Sequence, residues 1–276
     1  MMRLSLKAGY KLADIVSDIY YFFARNDREN LQCNLRIALK TDDKKIINAH
    51  IKNIFRNFAK YLVDFLRFEK LDNDYILSHV KLEGKENLDK ARAKGKGAIV
   101  LTAHIGNWEL GGGVVASMGY PLYVIALDHK DKRINDLFLH QRASVDVKVI
   151  PIGAQIKSCF RVLKKNWLLA IVGDRDFTNH GIKIAFFGQP TVFPKGPAVF
   201  SLRTGAAIIP TFVIRTENDA FKIIFEEPLE IKPTGNEAED IKAIMQSYIA
   251  VIEKYVRSFP DQWCAFKKVW ENVNNS

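Results

Sequence analysis

Residues 98–113 read AIVLTAHIGNWELGGG, and their order decides the fold. Ala98–Ala103 is a short apolar run behind the Gly-rich tetrapeptide Lys94–Gly97. A run of that length bounded by turn residues is a buried strand. Gly106 and Asn107 then permit a sharp turn, and Trp108–Gly113 opens a helix. His104 is thereby left at the carboxyl end of a strand, where open α/β sheets hold their ligands.

The pattern repeats outward. Leu122–Leu127, Val147–Ile150 and Leu168–Val172 are further apolar runs, and residues 131–143 and 153–165 between them have helical spacing. Strands alternating with helices predict an α/β fold with a mostly parallel central sheet flanked by helices. Ile184–Phe187, Ala207–Arg215 and Phe221–Phe225 read as later strands. The last two are joined at Glu217-Asn218-Asp219, so a hairpin makes the sheet mixed. A helix is expected at 195–204, with Pro197 in its first turn. A long helix at 236–258 precedes an aromatic tail with Trp263, Phe266 and Trp270.

The amino-terminal part is different. In residues 3–24, Leu4, Ala8, Leu12, Ile15, Ile19 and Phe22 recur at helical steps, with Lys7, Lys11, Asp14 and Asp18 on another face. Such a helix either lies in a membrane interface or packs on the domain. Residues 44–68 form a second helix with the apolar stripe Ile47, Ile51, Ile54, Phe55, Phe58, Leu62, Phe65 and Leu66. Residues 1–70 are thus expected to be a helical, membrane-associating region. Residues 71–276 are expected to be an α/β domain, the two making one structural unit.

With 276 residues, 48% hydrophobic and 26% charged, the chain has ample core and is no disordered or fibrous sequence. The formal charge is +10, and the basic excess lies in residues 1–200. Anionic lipid, nucleic acid and an acidic carrier protein are the partners such a charge suits. No zinc spacing, RNA-binding aromatic signature or basic recognition helix is present, so nucleic acid is not expected. Cys33, Cys159 and Cys264 are odd in number and stand in no CxxC pattern. That spacing fits a reducing compartment and neither a disulfide frame nor a metal site. There is no apolar stretch of membrane-spanning length and no secretory signal.

His104 and Glu109 are the first candidates for chemistry. On one continuous helix they would point about 140° apart. They meet only if His104 is on the turn and Glu109 on the helix. Glu109 would then hold one ring nitrogen while the other takes a proton from a hydroxyl. The alternative is a buried, hydrogen-bonded histidine at a strand end. Asp174-Arg175-Asp176 follows the strand at 168–172, so it too belongs at a carboxyl end. Arg175 there can hold a phosphate or an oxyanion with the two acids orienting it, or the three make a structural ion pair. Lys195 and Gly196 open the helix at 195–204, whose N–H groups can bind an anion. His50, His79, His129, His140 and His180 lack company that would assign them a role.

His104-Ile-Gly-Asn-Trp-Glu109 and its following glycines resemble the first block of the lysophospholipid-type acyltransferases. More narrowly, they are similar to the bacterial lipid A (lauroyl/myristoyl) acyltransferase family. Asn30-Leu31 through Ala38, Gly173–Phe177, Phe186–Pro190, Pro194–Ala198, Thr204–Pro210 with Arg215, and Pro260-Asp261-Gln262-Trp263 resemble further blocks in the same order. Lipid A enzymes usually have Asp-Gln where this chain has Asp174-Arg175. The Asp-Arg-Asp form is more like acyltransferases of phosphatidylinositol mannosides, which leaves the acceptor open. The resemblance implies a glycerol-3-phosphate acyltransferase-like fold and transfer of an acyl group from an acyl carrier protein or acyl-CoA thioester to a lipid hydroxyl. The acceptor would be a lipid A precursor, or else another glycolipid or a lysophospholipid. It implies His104 as general base, Glu109 as its orienter, and no cofactor. Asn107, Arg142, Asp174, Arg175, Asp176, Lys195 and Gly196 would bind substrate. The turn at Gly106–Asn107 is a candidate source of oxyanion donors. The place implied is the cytoplasmic face of the inner membrane, held peripherally on anionic lipid. A basic membrane-binding protein without catalysis is the competing reading.

Overall fold

A computed structural model describes residues 4–153, 156–178 and 180–270. Seven strands form the central sheet in the order β1-β9-β8-β2-β5-β3-β4. They are β1 (Val80–Glu83), β2 (Ala98–Thr102), β3 (Leu122–Ala126), β4 (Lys148–Pro151), β5 (Leu168–Val172), β8 (Ala207–Arg215) and β9 (Phe221–Phe225). All neighbouring pairs are parallel except the hairpin β8–β9. Between them in sequence, β6 (Ile182–Phe186) and β7 (Gln189–Phe193) form a separate two-stranded hairpin. The strand expected near 184–187 is therefore outside the central sheet.

Helices cover both faces. Helices α5 (Lys85–Ala93), α6 (Trp108–Ser117) and α7 (Lys132–Ala143) pack on one face, where Leu88, Val100, Val114, Leu122 and Val147 share a core. Helices α8 (Ile156–Lys164), α9 (Gly196–Thr204) and α10 (Glu237–Ser258) pack on the other with Ile99, Ile171, Val162, Phe200 and Ile252. Alternate residues of one strand enter opposite cores because side chains alternate across a sheet. Consequently β2 and β5 are near-continuous apolar runs, as parallel strands buried on both faces should be.

The amino-terminal helices are α1 (Leu6–Phe23), α2 (Arg25–Leu39) and α3 (Lys44–Phe65), with the short α4 (Asn73–His79) following. Ser5 caps α1 and Asp43 caps α3 through side-chain oxygens. Residue 3 of the expected first helix, and residues 154–155 of the expected 153–165 helix, lie outside the described residues. Among the described α-helices and β-strands, five were not expected from the sequence. Helices α2 and α5 are mostly polar and bury few side chains, among them Leu31 and Leu35, or Leu88 and Ala91. The third, α4, is seven residues long and buries only Ile76. Strand β1 is four residues long, and β7 contains Pro190. None carries enough apolar period to announce itself.

Candidate active site

The site is built where chain direction switches. From β2 the chain crosses through α6 towards β3, on one face. From β5 it runs through α9 towards β8, on the other face. β2 and β5 are neighbours, and the crevice beyond their carboxyl ends is the switch point at which α/β sheets bind ligands. His104 follows β2 by two residues and Asp174 follows β5 by two residues.

His104 Nδ1 and Asp174 Oδ1 are 2.6 Å apart, and Asp174 Oδ2 accepts the His104 backbone N–H at 3.1 Å. The carboxylate thus fixes the loop and the ring together. Nε2 is left as the second ring nitrogen. Burial holds the His104 pKa below its ordinary value, with Asp174 pulling it up and Arg175 pushing it down. A shift in that direction favours the neutral imidazole, the form able to accept a proton. Burial alone would raise the Asp174 carboxyl. The charge and hydrogen bonds of His104, helped by Arg175, outweigh it and hold the pKa at about 2.

Glu109 does not hold His104. It stands in the first turn of α6, and its carboxylate forms a two-pronged ion pair with Arg142 of α7, with Nε donating to Oε2 at 3.0 Å and Nη2 to Oε1. Both side chains are about nine-tenths buried. A carboxylate committed in this way to a buried guanidinium has no free edge for the imidazole. The carboxylate against His104 is that of Asp174 and not the expected Glu109, because the strand ladder, not the H-x4-E spacing, decides what lies beside His104.

Asn107 is also corrected. It is 1% exposed and faces inward. Its Oδ1 caps α6 at Leu110 N, while its Nδ2 donates to Asp64 Oδ2 at 2.9 Å. Nor can the Gly106–Asn107 turn supply oxyanion donors. The Gly106 N–H donates to Gln262 O and the Asn107 N–H to Val213 O, each at 2.9 Å. Gly106 has φ 65°, and a Cβ there would lie 1.8 Å from Val213 O, so only glycine fits.

The carboxyl-terminal segment braces this loop. Cys264 N donates to His104 O at 2.8 Å, and Arg175 Nη2 donates to Cys264 O. Asn34 of α2 donates to Ala265 O and Lys267 O, both at 2.8 Å, and Asn30 donates to Phe266 O at 2.9 Å. The asparagines of the Asn30–Ala38 block therefore hold the strap that holds the histidine. Arg175 is fixed by a carbonyl rather than by a carboxylate among the described residues. Asp176 turns away from it, accepting from Thr178 N, Thr178 Oγ1 and Gly181 N. Burial would raise its pKa, but those bonds lower it.

His104, Glu109, Arg142, Arg175, Asp176, Lys195 and Gly196 line one cavity of about 840 Å³. Asp174 stands behind His104, outside that wall. Beyond the polar mouth the cavity is apolar. Ladder pairing between β3 and β5 runs only from Leu122–Leu168 to Val124–Ala170, whereas β2 pairs with β5 as far as Val172. The cavity reaches into the parting of β3 and β5. It meets Val124 and Ala170 on one face of the sheet and Ile125 and Ile171 on the other. Its size and lining suit an alkyl chain with a polar head at the mouth.

Other side chains complete the surroundings of His104. Trp108 meets the His104 ring edge-on at 4.9 Å between centroids and is itself stacked on Tyr61 at 4.7 Å. Asp64, 5% exposed, receives Tyr10, Asn107 and Arg215. No local signal pointed to it: Asp64 falls on the charged face of the 44–68 helix with Arg56 and Lys60, away from the apolar stripe, and only the packing of α1 on that face buries it.

The model of the bacterial lipid A biosynthesis acyltransferase family matches residues 4–272. Over 197 residues the chain is 26% identical to a phosphatidylinositol mannoside acyltransferase of Mycobacterium tuberculosis, covering 69% of this chain and 62% of that protein. Over 254 residues it is 24% identical to the enzyme of the same name from Mycolicibacterium smegmatis, covering 90% and 82%. It is 25% identical over 186 residues to the lipid A biosynthesis palmitoleoyltransferase of Escherichia coli, covering 66% and 58%. The match to the first of these thus spans less than two thirds of that relative's length. With the family model matched from the first described helix to beyond Trp270, the chain belongs to the bacterial lipid A biosynthesis acyltransferase family.

Proposed function

We propose that the protein moves a fatty acyl group from a thioester to a hydroxyl of a glycolipid. The observation that carries this reading is the buried His104–Asp174 pair at the mouth of an apolar cavity of about 840 Å³. His104 Nε2 takes the proton of the acceptor hydroxyl as its oxygen attacks the thioester carbonyl. Asp174 stabilises the resulting imidazolium. The tetrahedral oxyanion lies against the Arg175 guanidinium, a fixed positive charge beside the base. Collapse breaks the C–S bond, and the His104 proton goes to the departing sulfur. The products are an acyl ester and a free thiol. The Glu109–Arg142 pair shapes the wall beside the base. Lys195 and the Gly196 end of α9 receive an anionic group of the donor or acceptor. The donor is an acyl carrier protein or acyl-CoA thioester, and no further cofactor enters these steps.

Two acceptors are in view. The family's description favours a lipid A precursor. The Asp174-Arg175-Asp176 sequence, and relatives named for phosphatidylinositol mannoside covering up to 90% of the chain, favour an inositol-mannoside type of glycolipid. Labelled acyl thioesters offered with both acceptors, singly and in competition, test this. A labelled product from one glycolipid names the acceptor. Acylation of a lysophospholipid alone overturns the glycolipid reading.

The protein works at the cytoplasmic face of a membrane, held by α1. Among the described residues no helix is long and apolar enough to cross a membrane. Helix α1 nevertheless exposes Leu12, Ile15, Val16, Ile19, Phe22 and Phe23, the last two 75% and 81% accessible. Lys7 and Lys11 are exposed on the same helix. This is the build of a helix lying in the headgroup boundary of anionic lipid.

A further inference from the structure

A line of polar pairs runs along the seam between α1 and α3, beside a small apolar cluster of Tyr10, Ala13 and Val63, and it ends at the catalytic loop. The two helices run antiparallel with Tyr10, Asp14 and Asp18 opposite Asp64, Lys60 and Arg56. Tyr10 Oη donates to Asp64 Oδ1, Lys60 Nζ lies 3.8 Å from Asp14 Oδ2, and Arg56 Nε donates to Asp18 Oδ1 at 2.8 Å. Four residues forward on one helix match four back on the other. Gly9, Ala13 and Ser17 are buried in the same seam. So α1 turns its polar side to the protein and its apolar side outward.

Asp64 joins this seam to the site. Its Oδ2 accepts Asn107 Nδ2 and Arg215 Nη2. Asn107 caps α6 three residues after His104. One turn earlier on α3, Tyr61 stacks on Trp108, which meets the His104 ring. Helix α3 therefore grips both residues that open α6.

We propose that Tyr10 and Asp64 are positioning residues for His104. Acting through Asn107, they hold the first turn of α6. Because Tyr10 belongs to the helix with the outward apolar face, seating α1 on anionic lipid tightens the loop that carries the base. This rests on the acyltransferase reading only for its consequence for rate. The mechanical coupling can be read without catalysis.

The experiment compares wild type with Tyr10→Phe, which keeps the ring and removes one donor to Asp64. Amide hydrogen exchange of residues 104–110 is followed with and without vesicles of phosphatidylcholine and phosphatidylglycerol. The loss of one buried hydrogen bond should speed exchange there about tenfold. Vesicles should slow it in wild type and not in Tyr10→Phe, although both proteins pellet alike. Asn107→Ser retains a capping oxygen, lacks the Nδ2 donor, and should loosen the same segment even if Tyr10→Phe folds poorly. In the acyl-transfer assay Tyr10→Phe should lower kcat with the donor KM unchanged. Equal exchange at 104–110 in all three proteins, or an equal vesicle effect in wild type and Tyr10→Phe, overturns the proposal. Absence of acyl transfer by wild type strikes the functional reading instead and leaves the exchange result to decide the coupling.

Discussion

His104 and Asp174 stand at the same level of two neighbouring parallel strands. The β2–β5 ladder runs from Ala98–Leu168 to Thr102–Val172, always 70 residues apart, and the same offset two residues on joins the imidazole to its carboxylate at 2.6 Å. The sheet register therefore aligns the proposed base with its partner.

Replacing Asp174 with Asn should cut kcat/KM by about 10²-fold or more, since a base without its orienter and counter-charge loses most of its assistance. The pH profile adds a sign. His104 must be neutral to act, and burial lowers its pKa, so wild-type activity should fall on the acid side with a midpoint below 6.5. Asp174 raises that pKa, so Asp174→Asn should move the acid limb to still lower pH. Glu109→Gln should move it less, Glu109 being the smaller influence on His104. Rate measurements from pH 4.5 to 8 on the three proteins check this, and an acid limb that follows Glu109 more than Asp174 would contradict the assignment.

Glu109→Gln should show itself in stability. It leaves the buried Arg142 guanidinium without its counter-charge, and breaking a buried pair in this way costs about 3–5 kcal/mol. Thermal or denaturant unfolding reads the effect. A loss below about 1 kcal/mol would mean that solvent reaches the pair.

Gly106→Ala should be inactive or unfolded. The added Cβ meets Val213 O at 1.8 Å in a backbone conformation suited to glycine. Circular dichroism with an activity assay checks it, and near-normal values for both would show that the loop can relocate.

Chain-length preference should respond to Val124→Phe. Val124 lines the cavity where β3 and β5 part. A larger ring there should favour shorter acyl groups in a competition among C10 to C16 thioesters. An unchanged preference would place the acyl chain elsewhere.

Ile19→Asp with Phe23→Asp should release the protein from anionic vesicles. Both side chains are exposed on α1, so fold stability should be little changed. Co-sedimentation is the measurement, and undiminished binding would move the lipid contact off this helix.

Much of the sheet was legible because β2, β3, β5 and β8 are continuous apolar runs between turn residues. The location of His104 followed from the same reading. The partner of His104 was not legible, because strand order is a tertiary property. Nothing local says that β5 inserts between β2 and β3, and without that order Glu109, five residues away, is the nearer carboxylate. Asn107 was expected at the substrate only through the resemblance, and capping of α6 together with the bond to Asp64 consumes its side chain. The helical period of residues 3–24 was clear, but not which side faces the protein. That was decided by Asp14 and Asp18 finding Lys60 and Arg56 on α3.

The role of His104 is decided by following both products of one reaction. Purified wild type and His104→Ala are given a labelled acyl thioester and glycolipid acceptor, and free thiol and acylated lipid are quantified together. Wild type should form the two in equal amounts, and His104→Ala should form both about 10²–10⁴-fold more slowly while remaining folded. Thiol released without acylated lipid, or equal rates from the two proteins, would contradict this.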